Sequence, residues 1–63
     1  MGEKMIKLYD FTQEVGGVEA RMRLSVVSGI SSFRAKSDPD TPENIQKLKD
    51  AIEEITGQNA PAV

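Results

Sequence analysis

TPENIQKLKDAIEEITG, residues Thr41 to Gly57, is the segment with the clearest pattern in this 63-residue chain. Its apolar side chains recur every three or four residues, which is the spacing of one face of an α-helix. Thr41 is a suitable N-cap, Pro42 fits the first helical position, and Gly57 can adopt the left-handed conformation that ends a helix. We therefore predict a helix from Pro42 to Thr56. Its apolar face consists of Ile45, Leu48, Ala51, Ile52 and Ile55.

The first half of the chain contains two runs of strand-forming residues, Lys4 to Val15 and Val18 to Ser28. The second run alternates between apolar and polar residues, as a half-buried strand does. Gly16 and Gly17 separate the two runs, and two strand-like runs joined by two glycines are typical of a β-hairpin. We therefore predict a hairpin whose turn lies at these glycines.

Pairing the two strands across this turn defines a face on which the helix could pack. That face consists of Tyr9, Phe11, Met22, Leu24 and Val26. Ile30 to Lys36 is a possible third strand, and Ser37 to Asp40 has the composition of a loop. The expected fold class is α+β, with a hairpin or three-stranded antiparallel sheet followed by one C-terminal helix. We expect a single domain at residues 1–57, with a loose terminus at residues 1–3 and a disordered tail at residues 58–63.

A chain of this length buries only a modest fraction of its surface, and small domains commonly add disulfides, metals or a partner subunit. Cys and His are both absent, so we expect self-association, with a dimer as the first expectation. The second face of the hairpin becomes apolar at its open end. The predicted self-association patch consists of Ile6, Leu8 and Val27.

Charge is distributed unevenly, although the net formal charge is only −2. Basic residues would share one face of the sheet, which suggests an alternative function as a nucleic-acid-binding regulator or a surface for an acidic partner. These residues are Arg21, Arg23, Arg34 and Lys36. The predicted helix carries Asp50, Glu53 and Glu54 near its C-terminus, where the helix dipole disfavours negative charge. A basic protein partner could compensate for them.

Motifs that would indicate catalysis are weak. Asp38, Asp40 and Glu43 are close in sequence, but they lack the turn glycine and the downstream Glu of a calcium loop and are better explained by turn formation and by interaction with the helix dipole. The serines have no histidine to activate them. We predict no cofactor, no metal site and no enzymatic activity. No segment has the length and apolarity of a membrane span, so the expectation is a cytoplasmic protein-interaction module that acts as a regulator or adaptor.

Overall fold

A computed structural model describes residues 3–63 and contains three α-helices: α1 (Glu3–Ser28), α2 (Ser32–Ser37) and α3 (Pro42–Thr56). No β-strand occurs within these residues. The predicted α+β fold, with its hairpin and possible third strand, is therefore wrong. The first two positions of the expected loose terminus lie outside the described residues, and Glu3 already belongs to α1.

The prediction for α3 is confirmed in its bounds and in both caps. The Thr41 hydroxyl accepts a hydrogen bond from the backbone N–H of Asn44 at 3.1 Å. Gly57 ends the helix in the left-handed conformation, with a φ of 73°, and its N–H donates to the Glu53 carbonyl at 2.9 Å. Leu48 and Ile52 are fully buried. Local capping and apolar spacing were sufficient to define this helix.

Gly17 reverses the direction of α1, so that this helix consists of two arms at residues 3–16 and 18–28. Its φ of 79° and ψ of −173° are non-helical. A continuous helix of 26 residues would be about 39 Å long, whereas the longest dimension of the molecule is 25 Å. A turn therefore lies within the double glycine, where the sequence predicts one, but it is formed by Gly17 alone and joins two helical segments rather than two strands.

The first arm of α1 is helical because its buried side chains follow helical spacing. They are Met5, Leu8, Tyr9 and Thr12, at positions i, i+3, i+4 and i+7. Glu, Lys, Leu, Met and Gln, which are good helix formers, also occur in this segment. A helix satisfies its own backbone hydrogen bonds, whereas a two-stranded hairpin leaves two edges unpaired. These contributions outweigh the strand preference of the aromatic and β-branched residues.

The second arm of α1 separates two sets of residues that the hairpin interpretation had placed on one face. Ala20 and Leu24 are buried and face the core. Met22 and Val26 are 66% and 82% exposed, so their predicted contact with the C-terminal helix is wrong. In a strand all even positions share a face, but in a helix residues two apart point in nearly opposite directions.

The predicted third strand is replaced by α2, whose first turn is capped by Ser31. The Ser31 hydroxyl accepts from the N–H of Arg34 at 3.1 Å, and Ala35 faces the core. Six residues form this helix. The serine N-cap therefore explains why this segment, whose strand preference is only modest, forms a short helix.

Both α2 and α3 pack against α1, and the core lies between them. Its buried hydrophobic members are Met5, Leu8, Tyr9, Leu24, Ile30, Ala35, Leu48, Ala51 and Ile52. Beyond α3, where a disordered tail was expected, Ala60 and Val63 are partly buried against this core. The C-terminal segment therefore adds a small amount of apolar cover.

Candidate protein-interaction surface

An exposed apolar stripe runs along the second arm of α1. It consists of Val18, Met22 and Val26, which are 60%, 66% and 82% exposed. Spacings of four residues place these side chains within about 80° of one another around the helix axis. Ala20 and Leu24 lie on the opposite side and are buried. The second arm of α1 is therefore apolar on its outer side as well as on its core side.

A shallow groove borders this stripe where α1 faces the start of α2. Its volume is about 420 Å³, and Met22, Val26, Ser31 and Ser32 contribute to its walls. Phe33, the next residue of α2, is 78% exposed. Large exposed apolar side chains scattered singly are normal, but three on successive turns of one helix form a contiguous surface of the kind that proteins use to bind other proteins.

The stripe is held in place by a polar cluster on the neighbouring side of α1. Arg21 forms an ion pair with Asp10 at 3.1 Å, and its guanidinium carbon lies 5.2 Å from the centroid of the Tyr9 ring. The Tyr9 hydroxyl donates a hydrogen bond to the Ile30 carbonyl. These contacts join both arms of α1 to the segment before α2. Burial raises the pKa of the Tyr9 hydroxyl, although hydrogen bonding with Ser28 and the charge of Arg21 oppose this shift.

A second hollow lies at the turn end of the molecule, between α1 and the C-terminal end of α3. Its volume is about 390 Å³. Glu19 and Arg23 line its α1 side, and Ile55, Thr56 and Gln58 line the other side. Both charged side chains belong to exposed residues. Neither forms an ion pair among residues 3–63, although Glu and Arg four residues apart on a helix can pair.

The three residues of the predicted self-association patch, Ile6, Leu8 and Val27, do not form one exposed surface. Leu8 is fully buried, and Ile6 is partly buried against the core. Val27 is 41% exposed. Leu8 could contact a second chain only if the core opened, so this helical arrangement gives the patch little support.

The basic residues singled out from the sequence are divided between two helices. Arg21 is paired with Asp10, and Arg34 is paired with Asp38 at 3.1 Å. Arg23 and Lys36 are exposed. Because carboxylates neutralise two of the four cations, this group gives only weak support for a nucleic-acid-binding face.

The acidic residues near the end of α3 are all exposed. Asp50 accepts a hydrogen bond from the Gln46 side chain at 2.8 Å. Asp50 and Glu54, together with Val27 and Lys47, line a small groove between α1 and α3 of about 210 Å³. Binding of a basic partner to Asp50, Glu53 and Glu54 stays a prediction.

Several of the carboxylates and serines that could have served in a metal or catalytic site instead form hydrogen bonds and ion pairs within the fold. The Asp40 carboxylate accepts from the backbone N–H groups of Lys4 and Met5 at 3.1 and 3.2 Å. Glu43 pairs with Lys47 at 3.5 Å. The Ser25 and Ser28 hydroxyls donate to the Met22 and Leu24 carbonyls. Within residues 3–63 no group of His, Cys, Asp or Glu side chains could hold a metal ion.

Sequence reasoning did not identify the stripe, although a signal for it was present. The four-residue spacing of Val18, Met22 and Val26 is visible in the sequence. These three residues also belong to the alternating apolar pattern from Val18 to Val26, which was interpreted as a strand. The four-residue helical spacing was therefore overlooked. The long-range capping by Asp40 and the contact between Tyr9 and Arg21 had no comparable signal, because both depend on tertiary packing.

Comparisons with known proteins add no relative: no protein-family model, curated protein or solved structure matches this chain. None of the helices within residues 3–63 combines the length and the apolar content needed to cross a membrane.

Proposed function

We propose that this protein is a small non-enzymatic interaction module that associates with a second copy of itself through Val18, Met22 and Val26. The exposed stripe is the observation that carries the proposal. Burying three apolar side chains from each of two chains removes apolar surface from water, which is the main driving force of protein association. Self-association would also supplement the limited core of a short chain.

A second copy suits this stripe because the stripe is symmetric about Met22. Val18 and Val26 lie four residues before and after it. In a dimer with two-fold symmetry, the same patch on both chains must be complementary to itself. An antiparallel pair of second arms would place each Val18 against the partner's Val26 and the two Met22 side chains against each other. Methionine is flexible and fills irregular spaces well.

Such a contact would be small, because the second arm of α1 has about three turns. Interfaces below about 1,200 Å² usually belong to weak or transient complexes. We therefore expect reversible association with a dissociation constant between about 10 μM and about 1 mM. An interaction of this strength suits a regulator whose oligomeric state changes with its concentration.

Sedimentation equilibrium across that concentration range tests the proposal. The weight-average mass of the wild type should rise above that of a monomer toward that of a dimer as the concentration increases. Met22→Glu should remain a monomer because dimerisation would bury two carboxylates against each other. Gln13→Glu is the matched control, since it adds the same charge to an exposed position of the other arm of α1. A wild-type monomer throughout, or equal association of all three proteins, would refute the proposal.

A further inference from the structure

Glu19 and Arg23 lie on the same side of the exposed stripe. With Met22 as the reference, a helix places Glu19 at about 60° and Arg23 at about 100° around the axis. Along the axis, Glu19 lies about 4.5 Å before Met22 and Arg23 about 1.5 Å after it. Both residues are exposed and form no ion pair within residues 3–63. Each can therefore pair with a charge on a neighbouring chain.

The opposite side of the stripe carries Arg21 and Ser25 at about −100° and −60° by the same geometry. Arg21 is already engaged by Asp10 and by the Tyr9 ring. The Ser25 hydroxyl donates to the Met22 carbonyl at 2.8 Å. This side is therefore satisfied within its own chain, and the unpaired charges beside the stripe lie on the other side.

An antiparallel two-fold arrangement brings matching sides of two helices together. When the symmetry axis passes between the two Met22 residues, Glu19 of one chain and Arg23 of the other lie on the same side of the contact and about 3 Å apart along the axis. The symmetry produces this pair twice. A parallel two-fold arrangement would instead place Glu19 beside the partner's Arg21, which is already paired, and Arg23 beside Ser25.

We infer that the partner surface is the second arm of α1 from another copy, packed antiparallel about Met22, with two reciprocal ion pairs between Glu19 and Arg23. This inference rests on the proposed function and adds the orientation and the residues that specify it. The apolar stripe supplies most of the attraction, whereas the charges select the antiparallel register, since rim charges contribute more to specificity than to affinity.

Charge reversal provides the test. Glu19→Arg places two arginines side by side at each pair, and Arg23→Glu places two glutamates there. Each single variant should dimerise about tenfold more weakly than the wild type, because two attractive pairs become repulsive. The double variant Glu19→Arg/Arg23→Glu should recover the wild-type dissociation constant, because it exchanges the two charges.

Mixing the two single variants separates this geometry from effects within one helix. The Glu19→Arg chain carries arginine at both positions of the pair, and the Arg23→Glu chain carries glutamate at both, so both reciprocal pairs are complementary in the heterodimer. Native mass spectrometry should therefore show heterodimers at well above the fraction that random pairing gives. Circular dichroism of each variant alone should match the wild type.

The outcomes distinguish this inference from the proposed function. Wild-type dimers that are sensitive to Met22→Glu, combined with random pairing of the two single variants, would overturn the antiparallel register and leave the proposed function standing. A wild type that never dimerises would overturn both. Preferential heterodimers together with recovery in the double variant would establish the register.

Discussion

The Asp10 carboxylate and the Arg21 guanidinium lie 3.1 Å apart, although 11 positions separate them along α1. A continuous helix would separate these two residues by about 16 Å along its axis. Their contact therefore depends on the reversal at Gly17, which also places the exposed stripe on the outside of the molecule. As an exposed ion pair it adds little stability, but it reports directly on the geometry of the turn.

The reversal predicts that Gly17→Ala destabilises the protein. The Gly17 φ of 79° and ψ of −173° form a backbone conformation that is essentially restricted to glycine and costs an L-residue about 1–3 kcal/mol, which should appear as a lower denaturant midpoint in equilibrium unfolding. D-alanine at position 17, introduced by chemical synthesis, is the matched control because its preferred φ is positive. It should unfold no earlier than the wild type, and equal midpoints for the L- and D-alanine variants would contradict the turn.

Gly16 tests the same turn through packing rather than backbone conformation. A Cβ added at this position would lie 2.5 Å from the Cβ of Ala20, closer than two carbon atoms can approach without a shift. Gly16→Ala should therefore lower the unfolding midpoint, and the double variant Gly16→Ala/Ala20→Gly should recover part of the loss. No recovery would show that the cost of Gly16→Ala does not come from contact with Ala20.

Asp40 caps α1 by accepting from the backbone N–H groups of Lys4 and Met5, which lie 36 and 35 positions away in the sequence. Asp40→Ala should lower the free energy of unfolding by about 1 kcal/mol, the usual cost of losing a cap. Asp40→Asn should lose less because its amide oxygen still accepts. Hydrogen exchange at the Met5 amide should accelerate in the alanine variant, and unchanged exchange there would argue against the cap.

The burial of the Tyr9 hydroxyl leads us to expect a loss of stability at alkaline pH. Burial raises the pKa of its hydroxyl above the ordinary value of 10.0, so the unfolded chain loses this proton at a lower pH than the folded chain. The contribution of Tyr9 is therefore fully present below pH 10 and declines as pH rises through the folded pKa. Urea unfolding at a series of alkaline pH values measures this decline.

Tyr9→Phe is the control for that measurement. It should cost about 1 kcal/mol at neutral pH, because the hydrogen bond to the Ile30 carbonyl is lost, while the alkaline decline becomes shallower. Tyr9 is the only tyrosine and the chain has no tryptophan, so ultraviolet titration reports this hydroxyl alone. An identical alkaline decline in both proteins would assign the effect to other groups.

The helix α3 could be predicted from the sequence because all its signals are local. Thr41, Pro42 and Gly57 define its ends, and the spacing of Leu48 and Ile52 defines its buried side. The position of the turn could also be predicted, because its signal is the local pair Gly16 and Gly17. Whether this turn joins strands or helices could not be predicted locally. The even-numbered apolar residues from Val18 to Val26 fit one face of a strand and equally fit two opposite sides of a helix.

The candidate surface could be predicted only in general terms. The sequence predicts apolar surface beyond the face that the C-terminal helix covers, but it assigns that surface to Ile6, Leu8 and Val27. In the helical structure the exposed apolar side chains include Met22 and Val26, which were expected to pack against the C-terminal helix. Which residues are exposed depends on the helical period and on the packing of α3 against α1. The pairing of Arg21 with Asp10 removed a cation from the predicted basic face, and only the folded chain shows this contact.

Disulfide trapping at position 22 tests the central claim most directly, because the natural chain contains no cysteine. In the proposed dimer the two Met22 side chains meet across the symmetry axis, which brings cysteines at this position within reach of a disulfide. Met22→Cys should form covalent dimers under mild oxidation much faster than Gln13→Cys, which is also exposed. Adding Val26→Glu to Met22→Cys should slow this trapping, whereas equal rates for Met22→Cys and Gln13→Cys would contradict association through the stripe.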